Sequence, residues 1–248
     1  MPIQVITFDL DNTLWDVEPA ILRAEAAQRE WFLEHRPGVM ERIDHEALWD
    51  LKKTLWKAHP ELAHHVSDMR KLLLTQMQLD AGYSPVEAED GAELAFNVFL
   101  AERQTVELYV DALTVLEQLA ERYTLGALTN GNADVYKTDA GEYFDFAFLA
   151  EDIGASKPAP DMFHAALNTT GRPAREFIHV GDNPEHDILG ALGVGMHAVW
   201  LRSESDPHPD EWPHAQQPNA VINAIGELPE AVELIASRID DSTAIQSG

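Results

Sequence analysis

Polar side chains that can do chemistry stand at the ends of four predicted strands, in the sequences DLDNT, LTN, SKP and GDNPEHD. In chain order these residues are Asp9, Asp11, Thr13, Thr129, Asn130, Lys157, Asp182, Asn183 and Asp187. Because the carboxyl ends of parallel strands meet at one edge of a sheet, we expect these side chains to converge on a single crevice.

The predicted crevice holds four carboxylates and one ammonium group, that of Lys157. Like charges a few ångströms apart push one or more carboxyl groups to hold a proton unless a cation neutralises them. Mg²⁺ is the cation that an all-oxygen donor set favours. With the Thr129 hydroxyl and the backbone N–H groups of Asn130 and Gly131, such a site suits a phosphoryl group.

The D-x-D pair supplies two carboxylates with different possible tasks. One of them can attack phosphorus and form an aspartyl-phosphate. The other lies close to the first if the chain turns after the strand, and it can then protonate the leaving alkoxide and later deprotonate water.

The elements that must position these groups alternate between strands and helices. Apolar runs predict strands at 3–8, 123–129, 146–149, 177–180, 197–201 and 220–222. Amphipathic segments between them predict helices at 111–121, 161–169 and 187–192. This alternation indicates a doubly wound, Rossmann-like α/β fold with a parallel sheet.

The alternation is interrupted between the first and second strands. Residues 15–105 contain no predicted strand, but they do contain amphipathic segments at 19–34, 44–58, 66–81 and 85–103 that turn signals separate. We therefore predict two domains. The α/β core comprises 1–14 and 106–248, and an all-helical domain, 15–105, is inserted after the first strand.

The 248 residues include 43 acidic and 17 basic side chains, which gives a net charge of −26. Binding to nucleic acid or to an anionic membrane needs clustered Lys and Arg, so neither partner is expected. The absence of cysteine excludes thiol catalysis and Cys-ligated zinc. Since no signal peptide or bilayer-length apolar run is visible, we predict a cytoplasmic protein. For the oligomeric state, we predict a monomer or weak homodimer.

The charge is unevenly distributed along the chain. Residues 15–105 hold 17 of the acidic and 10 of the basic side chains, so the inserted domain carries most of the cations. Arg70 is therefore a candidate to contact an anionic substrate, and Trp15 a candidate to stack on a flat substrate ring. The alternative for the exposed cations is pairing with carboxylates on the same helix face.

The four polar sequences, in this order and with a helical insertion after the first, resemble the signature motifs of the haloacid dehalogenase-like hydrolases. The resemblance covers the whole chain, and its inserted helices correspond to the family's cap domain. It implies that Asp9 is the nucleophile. It also implies that Asp11 is the general acid and base, and that the Asp11 backbone carbonyl binds Mg²⁺.

The resemblance also assigns roles to the later motifs. It implies that Thr129 and Asn130 bind phosphoryl oxygens and that Lys157 neutralises the nucleophile and the transferring group. It makes Asp182 the third protein ligand of Mg²⁺. Asp187 then orients metal-bound water or the lysine, and Asn183 stands where many relatives have a second Asp.

Asp11 separates two activities of the superfamily. The dehalogenases proper lack an acid at this position because halide leaves without a proton, whereas a phosphate ester needs one. The resemblance therefore predicts a Mg²⁺-dependent phosphatase that acts on a small phosphorylated metabolite. Two alternatives stay open: a 2-haloacid dehalogenase-type carbon–halogen hydrolase, and a catalytically idle phosphate-binding or interaction protein.

A narrower similarity concerns the substrate. Segments 8–14, 19–23, 80–84 and 129–132 look similar to bacterial phosphatases that act on the phosphorylated ribityl-pyrimidine of riboflavin synthesis. Those enzymes also hydrolyse FMN. We therefore expect 5-amino-6-(5-phospho-D-ribitylamino)uracil or FMN as a candidate substrate.

Overall fold

The computed structural model describes residues 2–206 and 208–246. Its contacts divide the chain into two compact units. The first comprises Met1–Asp16 and Glu107–Gly248, and the second comprises Val17–Val106. The boundaries expected from the sequence, after residues 14 and 105, lie within two residues of this division.

The first unit is built on a parallel sheet. Among the described residues its strands are β1 (Val5–Phe8), β2 (Thr124–Thr129), β3 (Phe146–Leu149), β4 (Phe177–Gly181), β5 (His197–Leu201) and β6 (Ala220–Ile222). Their spatial order is β3-β2-β1-β4-β5-β6, and each neighbouring pair is parallel. The predicted doubly wound, Rossmann-like class is confirmed, with the reversal of strand order between β1 and β4.

The strands form where apolar residues run without interruption, because both faces of this sheet are covered. All four residues of β1 are buried, and so are all five of β4. The absence of a side chain at Gly126 in β2 lets the Phe146 ring pack against the backbone, since a Cβ at Gly126 would lie 2.2 Å from that ring. The result is a rigid base for the side chains at the carboxyl edge.

The regular secondary structure among the described residues of the second unit is entirely helical. Its helices are α1 (Val17–His35), α2 (Pro37–Met40), α3 (His45–Ala58), α4 (Val66–Asp80) and α5 (Pro85–Arg103). The four predicted helices are confirmed with ends within two residues, and α2 is an additional short helix. No strand occurs among these residues, as predicted.

Local chemistry explains where these helices begin and which faces they bury. The Asp44 side chain accepts a hydrogen bond from the Ala47 N–H at 2.8 Å, and Ser84 forms a capping box with Glu87. Buried side chains recur at helical spacing, which gives each helix one apolar face. On α1 they are Ala20, Ala24, Gln28 and Phe32.

The helices of the first unit flank the sheet. They are α6 (Ala112–Ala120), α7 (Ala150–Ile153), α8 (Asp161–Thr170), α9 (Gly190–Gly193) and α10 (Leu228–Gln246). A π-helical turn, Pro184–Leu189, precedes α9, so the helix predicted at 187–192 in fact begins three residues earlier. Among the described residues, no helix is both long and apolar enough to cross a bilayer.

Candidate active site

Asp9 lies at the centre of the carboxyl edge of the sheet, because it follows β1 and β1 lies between β2 and β4. Its backbone N–H donates to the carbonyl of Val180 in β4 at 2.8 Å. The residue is 8% exposed. Thr129 ends β2 and Gly181 ends β4, so two further motifs flank Asp9 on either side.

A sharp turn after Asp9 fixes the second carboxylate of the D-x-D pair. Asn12 has a left-handed φ of 61°, a conformation that Asn tolerates better than most residues, and its N–H donates to the Trp15 carbonyl at 2.7 Å. The Trp15 indole N–H donates to Asp11 Oδ1 at 2.8 Å. The turn therefore holds the Asp11 side chain through Trp15.

Trp15 was expected to stack on a substrate ring, and its surroundings point to a different role. The side chain is completely buried, so it presents no ring face to a ligand in this structure. Its indole N–H donates to Asp11 instead. We therefore assign Trp15 to positioning the carboxylate.

Lys157 connects the motifs. Its Nζ lies 2.7 Å from Asp9 Oδ1 and 2.6 Å from Asp187 Oδ1, and it also donates to the carbonyl of Leu128. The residue is 2% exposed. Burial acts to lower the pKa of Lys157, but the two carboxylates outweigh it and raise the pKa above its ordinary value. The ammonium group therefore stays charged beside Asp9.

Asn130 holds the segment that carries Lys157. Its Nδ2 donates to the Lys157 carbonyl at 3.0 Å, and its Oδ1 accepts from the Lys157 N–H at 2.8 Å. Asn130 was predicted to bind phosphate. In the structure its side chain instead positions the backbone of Lys157. Thr129 is buried, and its hydroxyl oxygen accepts from the Gly131 N–H at 3.0 Å.

Asp187 is held by a hydrogen-bond network that includes His179 and Thr7, two residues that were not predicted to belong to the site. His179 Nε2 lies 3.3 Å from Asp187 Oδ1, and His179 Nδ1 lies 2.9 Å from the hydroxyl of Thr7 in β1. Burial acts to raise the pKa of Asp187, but Lys157 and His179 outweigh it and hold the pKa below its ordinary value. A Cβ on Gly181 would lie 2.3 Å from the Asp187 side chain, so this glycine permits the contact.

Asn183 occupies the start of the π-helical turn. Its Oδ1 accepts from the backbone N–H groups of Glu185 and His186 at 3.0 and 2.9 Å. Its own N–H donates to Asp187 Oδ2 at 3.0 Å. Asn183 therefore supports Asp187 through the backbone, while its side chain caps the turn.

Excess negative charge remains after these contacts. Burial raises the pKa of Asp9 well above its ordinary value, and the charges of Asp187 and Asp182 add to this against the opposing effect of Lys157. Burial likewise raises the pKa of Asp182 to about 7, with Asp187 as the next cause. One lysine does not balance three carboxylates.

The geometry of these carboxylates fits a metal ion. Among the described residues, Asp9, Asp182 and Asp187 each offer an oxygen atom, and the three atoms lie within 4.8 Å of one another. An all-oxygen set with excess negative charge suits a hard divalent cation. The Asp11 side chain is not part of this cluster, and its Oδ1 accepts a hydrogen bond from Trp15.

The family follows from a comparison with protein-family models. Residues 3–195, which include all four motifs, match the model described as haloacid dehalogenase-like hydrolase. The chain belongs to the haloacid dehalogenase-like hydrolase family. The resemblance stated from the motifs is thereby confirmed, and so is the expectation of a hydrolase.

Named relatives within the haloacid dehalogenase-like family include several phosphatases. The chain is 35% identical over 226 residues to 5-amino-6-(5-phospho-D-ribitylamino)uracil phosphatase YigB of Escherichia coli strain K12, covering 91% of this chain and 94% of the relative. It is 29% identical over 205 residues to glyceraldehyde 3-phosphate phosphatase of Pyrococcus abyssi, covering 81% and 82%.

One similar solved structure is named as a dehalogenase and not as a phosphatase. The 2-haloacid dehalogenase of Pseudomonas syringae pv. Tomato DC3000 superposes with a TM-score of 0.85 and is 40% identical. The match covers 93% of this chain and 98% of that one. Similar members of the haloacid dehalogenase-like family thus carry the names of two different reactions. Overall similarity therefore supports the fold, and the residues of the site are needed to distinguish the reactions.

Arg70, the remaining candidate, lies in the helical unit. Its guanidinium carbon sits 3.6 Å from the centroid of the Phe99 ring, and Nη2 lies 3.6 Å from Glu25 Oε1. Its side chain is 20% exposed. Arg70 is therefore a largely buried cation of the inserted domain of this haloacid dehalogenase-like hydrolase.

Proposed function

We propose that the protein is a Mg²⁺-dependent phosphatase that hydrolyses a small phosphorylated metabolite through an aspartyl-phosphate on Asp9. One observation carries the proposal: Asp9 contacts Lys157 at 2.7 Å and belongs to an oxygen cluster with Asp182 and Asp187. Asp11 lies in the turn after β1, where Trp15 holds its side chain, and we assign it the role of general acid.

In the first half-reaction, a carboxylate oxygen of Asp9 attacks phosphorus while the bond from phosphorus to the ester oxygen breaks. Protonated Asp11 gives its proton to the leaving alkoxide, which departs as an alcohol. Lys157 offsets the charge of the nucleophile and of the transferring group, and the Thr129 hydroxyl donates to a phosphoryl oxygen. The products of this step are the alcohol and the aspartyl-phosphate.

In the second half-reaction, the Asp11 carboxylate takes a proton from water as the water oxygen attacks phosphorus. The bond between phosphorus and the Asp9 oxygen breaks, and inorganic phosphate leaves. Asp9 is again a carboxylate and Asp11 is again protonated, so the cycle is balanced.

The residues proposed to hold Mg²⁺ are Asp9, Asp182 and the backbone carbonyl of Asp11. When bound, the ion supplies neutralisation of the phosphoryl and carboxylate charge. Asp187 keeps Lys157 in place, since the two groups are 2.6 Å apart.

The decisive experiment measures phosphate release from p-nitrophenyl phosphate with Mg²⁺. Asp9→Asn should abolish release, and EDTA should abolish it in the wild type. Asp50→Asn, which changes an exposed carboxylate of α3, is the matched control and should retain activity. Full activity of Asp9→Asn, or activity in EDTA, would refute the mechanism. Phosphate binding without any turnover would instead favour the catalytically idle alternative.

The second candidate function is a carbon–halogen hydrolase, which the 40% identical structure named 2-haloacid dehalogenase favours. The two reactions differ in their need for Asp11, because halide leaves without a proton. Chloride release from 2-chloropropionate that survives both EDTA and Asp11→Ala would support the dehalogenase. Phosphate release that needs Mg²⁺ and is lost in Asp11→Ala would support the phosphatase.

For the substrate, we propose the ribityl-pyrimidine phosphate or FMN, with the 35% identical relative as support. The test compares kcat/KM for these two compounds with the values for phosphoglycolate, hexose phosphates and nucleotides. A preference of about 100-fold for any compound of the second group, about 2.7 kcal/mol in transition-state binding, would overturn this assignment.

A further inference from the structure

A cavity of about 360 Å³, partly open to solvent, lies in the helical unit between side chains of α1, α3 and α4 and the segment after α2. Its walls are mainly apolar and include Phe32, Leu48, Leu73 and Met77. Pockets that hold small ligands begin at about 300 Å³. The cavity therefore has the size and lining of a ligand site.

The charged residues of the lining include one more cation than anion. Arg29, Lys52 and Arg70 are opposed by Glu25 and Asp44, although the chain as a whole has a net charge of −26. Asp44 already accepts a hydrogen bond from the start of α3. An apolar cavity with a small excess of positive charge, in so acidic a chain, favours an anionic ligand.

Glu25 is shared between two of these cations. Its Oε1 lies 3.6 Å from Arg70 Nη2 and 3.9 Å from Lys52 Nζ. Both separations exceed those of well-formed charge-assisted hydrogen bonds, which are about 2.7–2.9 Å. One carboxylate at these distances leaves Arg70 and Lys52 with capacity for a second anion.

The Arg70 guanidinium is held in a fixed position in which it can bind a second anion. Its guanidinium stacks on the Phe99 ring, and burial lowers its pKa while Glu25 opposes that effect. The nearby charge of Arg103 lowers the pKa further. A buried, stacked guanidinium loses little conformational freedom when it binds a planar anion.

We propose that this cavity binds a small organic monocarboxylate, whose apolar body fills the cavity and whose carboxylate pairs with Arg70 and Lys52. A monocarboxylate fits better than a phosphate dianion, because moving the more strongly hydrated dianion into apolar surroundings costs more free energy. The planar carboxylate also matches the guanidinium fork. The inference does not depend on the proposed phosphatase activity, whose residues belong to the other unit.

Isothermal titration calorimetry with 1-naphthoate and its neutral analogue 1-naphthamide tests the proposal at pH 7. The wild type should bind 1-naphthoate at least about tenfold more tightly than 1-naphthamide, the effect expected of a charge-assisted hydrogen bond. Arg70→Met and Lys52→Met should each weaken naphthoate binding, Arg70→Met by about tenfold or more. Lys53→Met is the matched control, since Lys53 is exposed and outside the lining.

Asp9→Asn should bind 1-naphthoate as the wild type does, even when it releases no phosphate, which separates this proposal from the catalytic one. Equal affinity for the acid and the amide, or no binding of either, would overturn the proposal. So would unchanged naphthoate affinity in folded Arg70→Met. The comparison of the two compounds uses the wild type, so it decides the question even if a variant does not fold.

Discussion

Lys157→Met removes the buried ammonium group and keeps a side chain of similar length. In the wild type this group contacts Asp9 at 2.7 Å and Asp187 at 2.6 Å, and its side chain is 1% exposed. Without it, two buried carboxylates face each other with no cation between them in the metal-free protein. Removing one partner of a buried ion pair costs about 3–5 kcal/mol.

One of the two carboxylates can take up a proton instead of remaining an unpaired charge. This proton uptake limits the loss of unfolding free energy. A carboxyl group with an ordinary pKa of about 3.9 takes up a proton at pH 7 for about 4 kcal/mol, and at pH 5 for about 1.5 kcal/mol. We therefore expect Lys157→Met to lose about 3–5 kcal/mol of unfolding free energy at pH 7, and about 2–3 kcal/mol less than that at pH 5.

The sign of this pH dependence follows from proton binding. In the variant, the native state holds a proton that the unfolded chain releases above a pH of about 3.9, so stability falls as the pH rises. In the wild type, burial raises the pKa values of Asp9 and Asp182, so part of the wild-type stability also falls as the pH rises, but Lys157 keeps Asp187 ionised at both pH 5 and pH 7. Without Lys157, the native variant holds one proton more than the native wild type over this range. The difference between the two proteins should therefore grow from pH 5 to pH 7.

Urea unfolding followed by tryptophan fluorescence, with EDTA present, measures both quantities. Lys137→Met is the matched control, because Lys137 is 60% exposed, and it should change the unfolding free energy by less than about 0.5 kcal/mol. A loss below about 1 kcal/mol for Lys157→Met, or the same loss at both pH values, would refute the reasoning. Activity of Lys157→Met should be lost in either case.

Three further changes test the supporting structure. Gly126→Ala places a Cβ 2.2 Å from an aromatic ring of β3 and should lower the unfolding free energy by about 1–3 kcal/mol. Thr7→Val removes the hydroxyl beside His179 and should cost about 1–3 kcal/mol, because a buried ring nitrogen loses its partner. Trp15→Phe removes the donor to Asp11 and should lower kcat by about three- to tenfold with little change in KM.

Two of these changes have a matched control. Gly38→Ala should not destabilise, since no atom lies within 4 Å of a Cβ built there. Thr7→Ser keeps the hydroxyl and should recover most of the loss in urea unfolding. An unchanged kcat for p-nitrophenyl phosphate hydrolysis in Trp15→Phe would contradict the positioning role, and unchanged stability of Gly126→Ala would contradict the packing argument.

Much of the fold could be predicted because its elements have strong local signals. Each strand of the sheet coincides with an apolar run, and the four long helices of the inserted unit coincide with amphipathic segments. The helix α10 was not predicted, although its buried residues Leu228, Ala231, Val232 and Ile235 have helical spacing. The early start of the helix at Pro184 was also missed, because a π-helical turn lacks the 3.6-residue period.

The residues that meet at the carboxyl edge of the sheet could be identified from the amino-acid sequence alone. Motifs at the ends of parallel strands converge in any doubly wound sheet, so the placement of Asp9, Thr129 and Asp182 follows from local patterns. The proposed reaction type rests on the same side chains. The excess of acidic groups over one lysine likewise points to a cation before any coordinate is known.

How these groups are held depends on contacts between segments that are distant in the sequence. Thr7 and His179 are 172 residues apart in sequence, and Asn130 and Lys157 are 27 apart, so no local period relates them. Burial of Trp15 and the cationic cavity around Arg70 likewise depend on what packs against each side chain. Periodicity specifies which face of an element is apolar, whereas partners across the core are specified by the packing of distant segments against one another.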